Sequence, residues 1–146
     1  MRKLVSIVFT AVLWMTTQGF AQEKGKRIEA ESFSTIHRAT TKEVKTGTVV
    51  NKFDKGAWIK FDNLDFGKGT EQLKFKVSSG SENSPQLEVR LGDHKGKLLG
   101  TLKVESKNWG KYVEQSLTIP QTKGKQTITI VSTAGGVLLD WFELMD

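Results

Sequence analysis

From Ile28 onward the chain alternates apolar and polar positions with a period of two. Ala57, Ile59 and Phe61 alternate with Trp58, Lys60 and Asp62; Leu73, Phe75 and Val77 with Lys74 and Lys76; Leu87, Val89 and Leu91 with Glu88 and Arg90; Ile128 and Ile130 with Thr127 and Thr129. Successive side chains of a strand point to opposite faces, so each stretch predicts a strand with one buried face. Turn residues separate them at Asp65–Gly69, Ser78–Ser81, Gly92–Gly96 and Lys123–Gly124. Leu98–Glu105 and Tyr112–Ile119 fill the remaining strand positions. Leu138–Leu144 is apolar on both faces and predicts a buried terminal strand. No stretch after residue 22 carries an apolar stripe of helical period. Short strands at this spacing predict an all-β fold, an antiparallel β-sandwich of the jelly-roll kind, with an immunoglobulin-like sandwich as the alternative.

The first residues follow another pattern. Arg2 and Lys3 precede an apolar run, Leu4–Met15, and Gly19-Phe20-Ala21 places small residues after it. That is the build of a cleavable signal peptide over 1–21, and it predicts a secreted or periplasmic protein. The run is too short for a membrane span, and none is expected after cleavage. Residues 22–27 read as a flexible lead-in and 28–146 as one domain. Cleavage leaves 125 residues of the 146, enough for a single core without staples.

Charge and composition narrow the function. The formal charge is +6, or +4 without Arg2 and Lys3. The lysines are scattered and form no stripe, so no nucleic-acid surface is expected. The absence of cysteine excludes thiol catalysis, zinc–thiolate sites and stabilising disulfides. No nucleophile elbow, phosphate loop or dinucleotide fingerprint occurs. His37 and His94 stand in no metal-ligand spacing and read as surface residues. The chain is not expected to be an enzyme.

Three places break the pattern. Trp58 falls on the polar face of its strand, where an indole either offers a flat apolar platform or packs beneath a neighbour; Glu88 and Arg90 occupy the polar face of another strand and could bond a ligand's hydroxyls. Trp109, in Lys107-Asn108-Trp109-Gly110-Lys111, falls in a loop, where it either covers the core or binds something. Tyr112 follows three residues on, bordering the same site or starting the next strand. Asp140 lies in an apolar strand and needs a partner or an ion. If the first and last strands are neighbours, Glu29, Glu31 and Asp140 converge. Three hard oxygen donors suit calcium; the alternative leaves the glutamates in water and pairs Asp140 with a lysine.

Taken in order, Ile28-Glu29-Ala30-Glu31, Gly56-Ala57-Trp58-Ile59-Lys60-Phe61, Asn63-Leu64-Asp65-Phe66-Gly67, Leu87-Glu88-Val89-Arg90-Leu91, Gly100-Thr101-Leu102, Trp109 and Asp140-Trp141-Phe142 resemble carbohydrate-binding module family 6 over nearly all of the chain after the leader. The resemblance implies a galactose-binding-like β-sandwich that holds a polysaccharide of the glucan or xylan class without cleaving it; such modules are usually attached to glycoside hydrolases, and a free-standing one could instead cooperate with a separate glycoside hydrolase. It also implies a structural calcium on Glu29, Glu31 and Asp140. Sugar would bind at one of two places. At the loop end, Trp109 supplies one aromatic wall; Phe53, offset by a few residues, is the candidate for the other, and Val137-Leu138-Leu139 stands where an asparagine is expected. On the concave sheet face, the candidates are Trp58, Glu88 and Arg90. The alternative is a sandwich of the same fold that has lost sugar binding and serves as a structural or protein-interaction domain.

Overall fold

The computed structural model describes residues 25–145. Eleven strands form: β1 Lys26–Glu29, β2 Thr35–His37, β3 Thr40–Val44, β4 Gly47–Phe53, β5 Trp58–Asp65, β6 Thr70–Ser78, β7 Gln86–Leu91, β8 Leu98–Lys103, β9 Val113–Thr122, β10 Lys125–Ala134 and β11 Val137–Met145. The signal peptide expected over 1–21 lies outside the described residues. No helix among the described residues is long and apolar enough to cross a membrane.

The strands make two antiparallel sheets. One runs β3-β4-β11-β6-β9, with β1 also paired to β11; the other runs β2-β5-β10-β7-β8. The period-two residues do what their spacing predicts: Ile59, Leu73, Phe75, Val77, Leu87, Val89, Ile128 and Ile130 are all fully buried between the sheets. Phe142 of β11 joins the layers, meeting Phe61 of the opposite sheet edge-on at 5.0 Å and Phe75 of its own sheet at 5.7 Å. Offset and edge-on rings are the favoured geometries for such contacts.

Three local expectations change. The lead-in shortens, because β1 starts at Lys26: Arg27 bonds Glu143 through Nε and Nη2 and lies over the Trp141 ring, 4.1 Å from its centroid. Glu29 and Glu31 do not share a strand, since Ala30–Ser32 is a turn of 3-10 helix that sends Ala30 into the core. β11 is buried on both faces along nearly its whole length, as its apolar run predicts, but it is not a regular strand. Its pairing with β6 slips between Leu139 and Trp141, so Asp140 is the extra residue of a bulge and the alternation restarts at Trp141. Leu139, Phe142 and Leu144 belong to the core cluster between the sheets.

Candidate functional site

At the end of the sandwich where β11 begins, the loops after β4, β6 and β8 and the β10–β11 turn surround an open cleft of about 800 Å³. Trp109 forms one wall, and it is 47% exposed. Asp54 and Lys55, the segment Ser81-Glu82-Asn83 and the stretch Thr133-Ala134-Gly135-Gly136 line the rest of it.

Trp109 is held there by local bonds that the sequence dictates. Asn108 makes an Asx turn, its Oδ1 accepting from Gly110 N at 2.8 Å and its carbonyl from Lys111 N at 3.1 Å. Ser106 Oγ donates to the Lys111 carbonyl at 2.7 Å, and Ser78 Oγ to the Trp109 carbonyl at 3.0 Å. The indole itself lies across two glycines. A Cβ on Gly80 would come within 2.4 Å of Trp109 Cδ1 and Nε1, and one on Gly136 within 3.2 Å of Cη2. At Gly80 only bare backbone permits the ring to lie that close.

The other residues expected at this end are elsewhere. Phe53 is fully buried, opposite Val137 on β11, and its ring belongs to the core between the sheets, so it presents no face to the cleft. Tyr112 does not border the cleft; its ring lies beside Lys76, with Nζ 5.7 Å from the centroid. Burial raises its pKa above the usual phenol range, the nearby Ser78 hydroxyl pulls the other way, and the Asp140 charge raises it further.

The outer face of the second sheet is occupied by its own side chains. His37, on the neighbouring strand β2, pairs directly with Trp58 and stacks on it at 5.2 Å, 18° from parallel. His94 comes from the β7–β8 turn on the other side of β5 and stacks at 5.0 Å, 4° from parallel. Three bonds hold that turn down: Thr129 Oγ1 donates to the Gly92 carbonyl at 2.7 Å, Gly92 N to the Thr127 carbonyl at 2.7 Å and Arg90 Nη1 to the Gly96 carbonyl at 2.8 Å. Arg90 also closes on Glu88, Nη2 to Oε2 at 2.7 Å. Trp58, Glu88 and Arg90 therefore share the expected face, but each is already engaged. His37 and His94 were legible only as surface residues, because nothing in their spacing foretells a contact through strand pairing.

The first and last strands are neighbours, with Glu29 opposite Trp141. Asp140 meets Lys76, Nζ to Oδ2 at 3.3 Å. Burial raises the Glu29 pKa, the charges of Glu31 and Asp140 raise it further, and Arg27 and Lys76 act against them. Glu31 Oε2 is buried with no hydrogen-bond partner. Among the described residues no three His, Asp or Glu are gathered into a ready-made metal cage.

An antiparallel sandwich that displays an indole over glycine at its loop end has the build of a sugar-binding module. The chain belongs to the carbohydrate binding module (family 6) family, which it matches over residues 29–146. Among solved structures it is similar to a family 6 module from Clostridium stercorarium in complex with cellobiose, at 28% identity and TM-score 0.77 over 84% of this chain and 94% of that one. It is equally similar to a family 6 module from Clostridium cellulolyticum in complex with xylose, at 28% identity and TM-score 0.77 over 84% and 98%. Among curated proteins, endo-1,4-beta-xylanase A of Thermoclostridium stercorarium is 34% identical over 97 residues, 66% of this chain and 18% of the enzyme. An arabinoxylan arabinofuranohydrolase of Bacillus subtilis is 35% identical over 114 residues, 74% and 19%. The chain thus spans less than a fifth of the length of either enzyme.

Proposed function

We propose that this chain is an exported, non-catalytic module that holds a polysaccharide of the glucan or xylan class in the loop-end cleft, with a sugar ring stacked on Trp109. The observation that carries this reading is the contrast between the two candidate platforms. Trp109 is open to an 800 Å³ cleft, whereas Trp58 is flanked by His37 and His94. The apolar C–H face of a pyranose rests on an aromatic ring while its hydroxyls take polar partners from the rim. Similar modules bound to cellobiose and xylose support the ligand class. The similarity to parts of xylan-active enzymes supports a partnership with a glycoside hydrolase.

Calcium is part of the proposal. Glu29, Glu31 and Asp140 would hold it: the donor chemistry fits, with hard oxygens, mutual repulsion at Glu29 and an unpartnered buried oxygen on Glu31, but the three form no ready-made cage and would have to draw together around the ion. The ion would add positive charge between carboxylates that Arg27 and Lys76 already offset in part.

The test is affinity electrophoresis through gels containing xylan, mixed-linkage glucan or β-1,3-glucan. Retardation of the wild type that disappears in Trp109→Ala and survives in Trp58→Ala supports the reading. No retardation on any glycan supports the second reading, a sandwich serving protein interaction. That alternative draws on the burial of Phe53, which leaves the cleft one aromatic wall.

A further inference from the structure

Resting on the loop-end cleft as the sugar site, we propose that Asp54 is the specificity-determining partner of Trp109. Its carboxylate accepts hydrogen bonds from the hydroxyls of a neutral sugar ring lying on the indole, and it excludes a uronate from the same place.

The point that a Gly136 Cβ would occupy lies 2.7 Å from Asp54 Oδ1 and 3.2 Å from Trp109 Cη2. Carboxylate and indole edge therefore converge over one bare glycine, on the wall of one cleft. This chain has Phe53 buried and Val137-Leu138-Leu139 following the turn, so neither a second aromatic nor an amide from the start of β11 faces the ligand. Of the atoms nearest that point, those of Asp54 are the only ones that do not belong to the indole. A carboxylate is an acceptor-only group with two oxygens, matched to two neighbouring hydroxyls of one ring. Its backbone is fixed by the Ala57 N–H donating to the Asp54 carbonyl at 2.9 Å.

Charge gives the exclusion. Three ionisable side chains line the cleft: Asp54, Lys55 and Glu82. Their sum is negative in a chain whose total is +6. A uronate laid on Trp109 would bring its charge against Asp54 with solvent partly displaced, where like charges are costly to bring together. Scattered lysines outside the cleft attract acidic polymers only weakly, and salt screens that attraction.

The experiment is titration calorimetry of the folded chain with xylohexaose, cellohexaose, laminarihexaose and a glucuronate-substituted xylooligosaccharide, in about 0.15 M salt. Wild type, Trp109→Ala, Asp54→Ala and Asp54→Asn are compared, with melting curves to establish that each is folded. The expected result is tighter binding of a neutral ligand than of the uronate by wild type, a loss of about tenfold or more in Asp54→Ala, and a smaller loss in Asp54→Asn with a narrowed gap between the two ligand types. Neutral-ligand binding within about twofold of wild type in both Asp54 variants, with binding abolished in Trp109→Ala, overturns the Asp54 assignment and leaves the cleft intact. A wild-type preference for the uronate also overturns it. Binding unchanged in Trp109→Ala, or no binding of any ligand by wild type, overturns the cleft reading itself.

Discussion

The imidazole of His94 lies 5.0 Å from the indole of Trp58, with the ring planes within 4° of parallel. His37 adds a second parallel ring from β2. Trp58→Ala is expected to leave polysaccharide retardation within about twofold of wild type while costing about 1–3 kcal/mol of stability for two lost ring pairs. Urea denaturation and gel retardation on the same preparation measure both. Lost retardation with intact folding would move the binding site to the sheet face.

Gly80 tests the opposite platform without touching its surface. A Cβ there collides with Trp109 at 2.4 Å, so Gly80→Ala tips the indole out of place. Binding should fall about thirtyfold, as when a central tryptophan anchor is removed, with a change in stability of less than about 1 kcal/mol because the exposed ring can swing aside. Equal affinity in Gly80→Ala would mean the ring's position does not matter.

Phe53 separates packing from recognition. Its side chain is fully buried, and Phe53→Ala should cost about 3–5 kcal/mol. The fraction that remains folded should bind glycan as the wild type does. A stable variant that has lost binding would restore Phe53 to the site.

Calcium binding would appear as a rise in melting temperature. At a hundredfold excess over the dissociation constant the ion adds about 2.7 kcal/mol, and EDTA should reverse it. Glu31→Gln and Asp140→Asn should each remove most of the response. A melting curve indifferent to calcium and to EDTA, in protein stripped of metal, removes the ion from the account.

The sandwich was legible because core contacts obey a local rule: Ile59, Val89 and Ile130 are inside because each alternates with a polar neighbour. Trp109 was legible for a similar reason, as a large apolar ring among turn residues. What stayed hidden depends on pairing between distant strands. His37 meets Trp58 through the register of β2 on β5, and His94 through a turn folded across β10. β3 escaped because it is an edge strand, Thr40–Val44, with almost no buried side chain to mark a period. The bulge at Asp140 escaped because one extra residue leaves no mark in a run that is buried on both faces. Asp54 carries no signal in its neighbours; only Gly136, eighty-two positions later, brings it to the indole.

The pairing of β1 with β11 sets Lys26 beside Leu144, so the two ends of the sandwich leave from one pole. β11 runs from Val137 at the cleft to Met145, a distance of about 26 Å at 3.3 Å per residue. Whatever is tethered to either terminus hangs behind the module like a boat behind its anchor line, and leaves the pole that holds the cleft unshaded.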